Sequence, residues 1–132
     1  MLGILLWYAV NYGHYDSADY SDATGLEWLE ISEFNAIKGS ASPLKFKACF
    51  VASADPRAIS SKHKTHEHPV PLVAPRWFSC FDANMIGAAL ESGEARAYLI
   101  RENISDGIDR VAAVFADGRA FAWHQLNGKF KR

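Results

Sequence analysis

The sequence predicts an α+β domain: a small, mainly antiparallel sheet with a central hairpin over about residues 110–125 and one packed helix over about 83–92. Three observations carry this. Leu44, Phe46, Ala48 and Phe50 alternate with Lys45, Lys47, Cys49 and Val51, the period-2 pattern of a half-buried strand. Asp82 stands where a helix N-cap belongs and Gly93 where a left-handed C-terminal residue belongs, with Met85, Ile86, Ala89 and Leu90 spaced as one apolar stripe between them. Asp117-Gly118 separates two apolar runs, Arg110–Phe115 and Ala120–Gln125, as a hairpin turn requires.

The 132 residues suit one domain with one core. The chain divides into an apolar N-terminal segment over 1–12, an acidic linker over 13–25 and a domain over 26–132. Leu2 to Val10 is almost wholly apolar, with Trp7, Tyr8, Tyr12 and Tyr15 in and after it. A spanning helix needs about 20 such residues, so the run is about half an anchor. No basic n-region or small-residue cleavage site marks it as a secretory signal. Clustered Trp and Tyr resemble the aromatic belt at a membrane interface. Two readings follow: a partial membrane anchor, or an element packed in the core.

Charge is unevenly placed. Of the 15 acids, six (Asp16, Asp19, Asp22, Glu27, Glu30 and Glu33) precede the first Lys or Arg, and the net charge is −1. That balance argues against a nucleic-acid binder that works by neutralising phosphates. Leu26–Ile31 reads as a short strand, and Lys45 and Lys47 turn the second face of the 44–51 strand to water. From Ser53 to Pro75 there is no usable periodicity and four prolines interrupt the chain, so this reads as a long loop, functional or flexible. Ala95–Arg101 reads as a further strand. With Asp117-Gly118 as a two-residue type I′ loop, Phe121 falls opposite Val114 and Trp123 opposite Ala112. Both faces of the hairpin are then apolar and both need a cover.

Candidate chemistry is sparse. Cys49 and Cys80, the only cysteines, are too far apart for a C-x-x-C pair. They are either two buried free thiols or one disulfide, which would stabilise the fold by about 3–4 kcal/mol and place it in an oxidising compartment. His63, His66 and His68, with Glu67 between the last two, could hold zinc or another transition metal, although the spacing matches no zinc finger or metalloprotease and Lys62 and Lys64 repel a cation; a solvated loop is the plainer reading. Trp77, Trp123 and His124 are candidates for a surface that meets a protein partner, His124 alternatively being a core histidine. There is no nucleophile elbow and no phosphate-binding glycine loop. Asp106, Asp109 and Asp117 border turns, where such residues serve the backbone. The chemistry therefore leans away from an enzyme.

The strings Ser42-Pro43-Leu44-Lys45-Phe46-Lys47-Ala48-Cys49-Phe50, Pro71 to Asp82, Ile86 to Ala95, Gly107-Ile108-Asp109-Arg110-Val111 and Trp123-His124-Gln125-Leu126-Asn127 resemble the DUF6446 family of uncharacterised alphaproteobacterial proteins. The resemblance covers about two-thirds of the chain. It implies a domain behind one N-terminal membrane segment, with both cysteines part of the pattern. Members sometimes carry a histidine-kinase label, which a chain this short without nucleotide-binding glycine boxes cannot fulfil. The expectation is thus a non-catalytic domain, anchored in the inner membrane and facing the periplasm, that binds a partner protein or supports an envelope complex. The alternatives are a metal- or small-molecule-binding protein using the His63–His68 loop, and a soluble cytosolic domain.

Overall fold

The computed structural model describes residues 15–18, 31–39, 43–52, 59, 63–66 and 68–127. Among the described residues, six strands form one antiparallel sheet. They are β1 (Tyr15–Ala18), β2 (Ile31–Gly39), β3 (Lys47–Ala52), β4 (Ala95–Ser105), β5 (Ile108–Phe115) and β6 (Arg119–Leu126). Their spatial order is β1-β2-β3-β6-β5-β4. A 3-10 turn, Pro43–Lys45, leads into β3, and a helix, α1 (Ala83–Ser92), precedes β4. The chain leaves β3 in the middle of the sheet, crosses one face through α1, and returns along β4, β5 and β6 to close against β3. The α+β class and the antiparallel hairpin over 110–125 are therefore present, and α1 has its predicted ends.

Both ends of α1 are set locally. The Asp82 carboxylate accepts hydrogen bonds from the backbone N–H groups of Asn84 and Met85, at 3.0 and 3.1 Å, satisfying two donors that a helix start leaves open. Gly93 stops the helix at φ 85°, a conformation that costs glycine nothing. Ile86 and Ala89 are buried and Met85 and Leu90 pack beside them, the stripe that the spacing predicts.

The sheet is apolar on both faces. One face joins Val111, Ala113, Phe115, Phe121 and Trp123 to α1 and to Phe78 and Phe81. The other joins Ala48, Phe50, Ala112, Ala120 and Ala122 to Phe46, Ile59 and Tyr98. This corrects the hairpin register. Val114 pairs with Ala120, Ala113 with Phe121 and Val111 with Trp123, one residue from the two-residue-loop expectation. The loop has three residues, because the N–H of Gly118 bonds to the carbonyl of Phe115 at 3.1 Å and only Gly118 has positive φ (95°), Asp117 keeping the ordinary sign. That is a turn followed by one left-handed glycine, the other common hairpin closure. A shift of one residue exchanges faces, so Phe121 and Trp123 join Val111 and Ala113 rather than Val114 and Ala112.

Three further expectations change. Within the segment read as an acidic linker, Tyr15–Ala18 pairs with Ala36–Gly39 as an edge strand. Strand β2 starts at Ile31 and runs where no strand is predicted; residues 26–30 of the expected early strand, and the 1–12 segment, lie outside the described residues. A bulge hides β2 in the sequence: the pairing slips between Ser32 and Asn35, with Glu33 at φ 53°, so its side chains do not alternate regularly. Lys47, expected to face water, is 3% exposed. It lies opposite Trp123 and Ile37, and its ammonium donates to the Leu44 carbonyl at 3.3 Å.

The described part of the 53–75 loop is a cover rather than a free excursion. Ile59 is buried in the second face. Thr65 bridges to Tyr98, with Leu99 N–H bonding Lys64 O at 2.7 Å and His66 N–H bonding Ala97 O at 3.0 Å. The loop thereby shields part of the outer edge of β4, which would otherwise offer unpaired backbone groups. Among the described residues no helix is long and apolar enough to cross a membrane.

Two glycines separate backbone need from free space. A Cβ on Gly118 would stand 2.9 Å from the Ala52 carbonyl oxygen, whereas one on Gly87 within α1 meets nothing within 4 Å. Gly118→Ala is expected to destabilise by about 2 kcal/mol, and Gly87→Ala to stabilise by about 0.5–1 kcal/mol. Urea unfolding of the two variants reads both signs, and equal effects would contradict the turn geometry.

Candidate functional site

Residues 68–82 form a strap between the loop and α1, lying along the face that carries Trp123. It is fastened at both ends. At its start, the Gln125 side-chain amide acts as a surrogate peptide unit. Its Oε1 accepts the Val70 N–H at 2.7 Å and its Nε2 donates to the His68 carbonyl at 3.0 Å. The same Oε1 accepts the Trp123 indole N–H at 2.9 Å. Gln125 is 5% exposed and Trp123 fully buried, so each of these groups needs its partner. At the other end Cys80 is joined to Cys49 of β3 by a disulfide, with Cα atoms 6.3 Å apart. Between the fastenings Phe78 and Phe81 enter the core, Phe81 meeting the rings of Phe121 and Trp123 edge-on at 6.2 Å.

Three large apolar side chains are among those the strap turns outward. Val70, Val73 and Trp77 are 55%, 67% and 52% exposed. A groove of about 520 Å³, lined by Val73, Pro75, Arg76, Ser79 and the first residues of α1, lies beside them. A second cleft, of about 580 Å³, flanks the disulfide and is lined by Asn35, Met85, Arg119 and Phe121 among others.

The predicted site residues separate. Cys49 and Cys80 come together. Of the residues proposed for a partner surface, Trp77 is exposed, but Trp123 and His124 are 0% and 6% exposed and form no surface; both are on β6, the strand at the centre of the sheet. His124 stacks on Phe46 at 4.6 Å, and its Nε2 accepts the Arg110 Nε–H at 3.0 Å, which requires a neutral imidazole with its proton on Nδ1. The Arg110 guanidinium lies over the same Phe46 ring, 4.2 Å from its centre. His63 and His66 are partly buried and His68 exposed. His66 Nδ1 accepts the His68 N–H at 3.2 Å, a local turn bond that occupies one ligating nitrogen. Among the described residues no three His, Cys, Asp or Glu side chains are grouped to hold a metal; Glu67 lies outside them.

The turn carboxylates serve the backbone. Asp109 Oδ1 accepts the Asn103 N–H at 2.8 Å and the Asn127 side-chain N–H at 3.1 Å. Asn103, at φ 52°, accepts the Gly107 N–H at 2.8 Å. The Asp117 carboxylate caps the Arg119 N–H and pairs with its guanidinium, and these contacts hold its pKa below the ordinary value. Gln125, which fastens the strap, is invisible to a motif search. Its only sequence signal is position: it shares a face with Trp123 two residues earlier.

Lys47 carries the largest protonation effect. Burial, aided by the neighbouring charge of Lys45, lowers its pKa from 10.5 to about 8. The unfolded chain therefore binds more protons than the folded one between pH 8 and 10.5, and stability rises with pH through that window. The full shift corresponds to about 3 kcal/mol against folding at neutral pH. Lys47→Met is expected to be about 2–3 kcal/mol more stable than the parent at pH 7, after loss of the Leu44 bond. The advantage should fade towards pH 10.5 in paired urea titrations; an advantage independent of pH would refute it. Gln125→Ala should cost about 2–4 kcal/mol, because it leaves a buried indole N–H and a backbone N–H unpaired. Hydrogen exchange should show Val70 losing protection more than the amides of α1.

The model for DUF6446, a family of unknown function, matches residues 19–132, and so takes in every described strand except β1. No curated protein and no solved structure matches the chain. The strap, the disulfide and strands β2 to β6 all fall within that match, and the chain belongs to the DUF6446 family.

Proposed function

We propose that this is a non-catalytic domain, tethered to the inner membrane by its apolar N-terminal segment and facing the periplasm, that binds a partner protein through the strap. Trp77 is the observation that carries the reading. A tryptophan half in water forfeits burial worth about 2 kcal/mol or more, on a strap whose neighbouring Phe78 and Phe81 are buried. Exposed aromatics beside exposed aliphatics are the usual anchors of protein interfaces, and Val70 and Val73 supply the aliphatics. The groove alongside gives an incoming side chain somewhere to enter. A backbone fastened at both ends loses little freedom on binding, which favours affinity.

The location rests on separate supports. A disulfide fastening the strap suits an oxidising compartment. The apolar run from Leu2 to Val10 with Trp7 and Tyr8 suits a segment at a membrane interface.

Site-specific photocrosslinking in cells tests the partner reading. A photoreactive phenylalanine analogue in place of Trp77 should give one discrete protein adduct. The same analogue at exposed Arg101, on β4, should not. No adduct at 77, or an identical pattern from both positions, would exclude the strap as the binding surface.

A further inference from the structure

We propose that the Cys49–Cys80 disulfide is a thiol-exchange site, open to an external dithiol through the cleft beside it. A staple that only stabilises is commonly packed on all sides. This one forms part of the wall of an open cleft of about 580 Å³. The two cysteines differ in access: Cys49 lies on a central strand and is 7% exposed, whereas Cys80 is an exposed turn residue. A nucleophile arriving through the cleft therefore reaches the Cys80 sulfur first, and Cys49 is the leaving group. Among the described residues lining the cleft, Arg119 is the one cation and Glu33 the one anion. Arg119 favours the thiolate form of an incoming thiol, although its pairing with Asp117 at 2.9 Å moderates that charge.

The exchange balances with a dithiol as reductant. Its thiolate attacks the Cys80 Sγ, an S–S bond forms between reductant and Cys80, and Cys49 leaves as a thiolate that takes a proton from water. The reductant's second thiol then attacks its own sulfur in that mixed disulfide. This releases Cys80 as a thiolate, which is protonated in turn, and leaves the reductant oxidised to an internal disulfide. The fold can survive the reaction because the strap keeps its Gln125 fastening and its buried Phe78 and Phe81. The freedom gained lies around Cys80, within three residues of Trp77. Any effect on partner binding rests on the reading of Trp77 above; the exchange itself does not.

Reduction kinetics of the native protein test this. With a concentration series of dithiothreitol, thiols are counted by alkylation and mass spectrometry. Direct attack predicts a rate first-order in dithiothreitol and well above the global unfolding rate. A rate that levels off at the unfolding rate would mean that the bond opens only on unfolding, and would overturn the proposal. The attack site is read separately with glutathione disulfide: the Cys80 thiol in Cys49→Ser should form a mixed disulfide at least about tenfold faster than the Cys49 thiol in Cys80→Ser. Equal rates would overturn the assignment of Cys80. Should either variant fail to fold, the kinetics of the native protein decide alone. First-order reduction without an adduct at position 77 would leave the exchange standing and remove the partner reading.

Discussion

A sheet that is apolar on both faces must be covered on both faces, and most of this structure follows from that constraint. Ala48, Ala112, Ala120 and Ala122 on one side, and Val111, Ala113 and Trp123 on the other, are all at most 1% exposed. At about 25 cal/mol per Å², leaving either side wet would remove more free energy than a domain of this size has to spare. The faces are filled differently. The alanine-rich face gives little side-chain depth, so Phe46, Phe50, Ile59 and Tyr98 fill the space against it. The other face is already deep with Phe115, Phe121 and Trp123, and among the described residues its cover is thin, one helix and one strap.

That thin cover could not hold itself. A ten-residue helix is marginal in isolation, and the strap has no regular secondary structure. The fastenings answer different parts of the problem. Asp82 and Gly93 fix where α1 starts and stops. Gln125 gives the start of the strap the pairing that a neighbouring strand would give, without a strand. The disulfide fixes the other end and, closing 31 residues of sequence separation, restricts the unfolded chain by about 3–4 kcal/mol in the entropic account.

Elements set by local chemistry were legible in the sequence and those set by long-range pairing were not. Helix α1 was readable because its cap, stripe and stop all lie within twelve residues. The hairpin was readable as a turn, but Asp-Gly serves both a two-residue and a three-residue loop, and the choice between them moves Phe121 and Trp123 across the sheet. Strand β2 was hidden by its bulge. Lys47 looked solvated because a lysine alternating with phenylalanines normally is, and its burial depends on Trp123 and Ile37, which pair with it from distant parts of the chain. The two cysteines could be paired or free on sequence alone, since only the return of the strap onto β3 brings them together. Trp77 and Trp123 could not be told apart, because which tryptophan faces out is decided by that same return.

The polar groups show why the strap, rather than the sheet, is where function is best sought. Among the described residues no buried side-chain nitrogen or oxygen lacks a hydrogen bond. Asp109 holds a bulge, His124 accepts from Arg110, and Gln125 serves three groups at once. Such groups cannot leave these partners for a ligand without leaving a buried donor or acceptor open, at about 1–3 kcal/mol each. The strap carries the opposite signature. Its backbone is fastened, yet Val73 and Trp77 are turned to water and a disulfide stands at the edge of a cleft. An exposed tryptophan on an anchored segment, and a few residues further on an exposed cysteine at the wall of a cleft, are groups whose engagement would not require dismantling the fold.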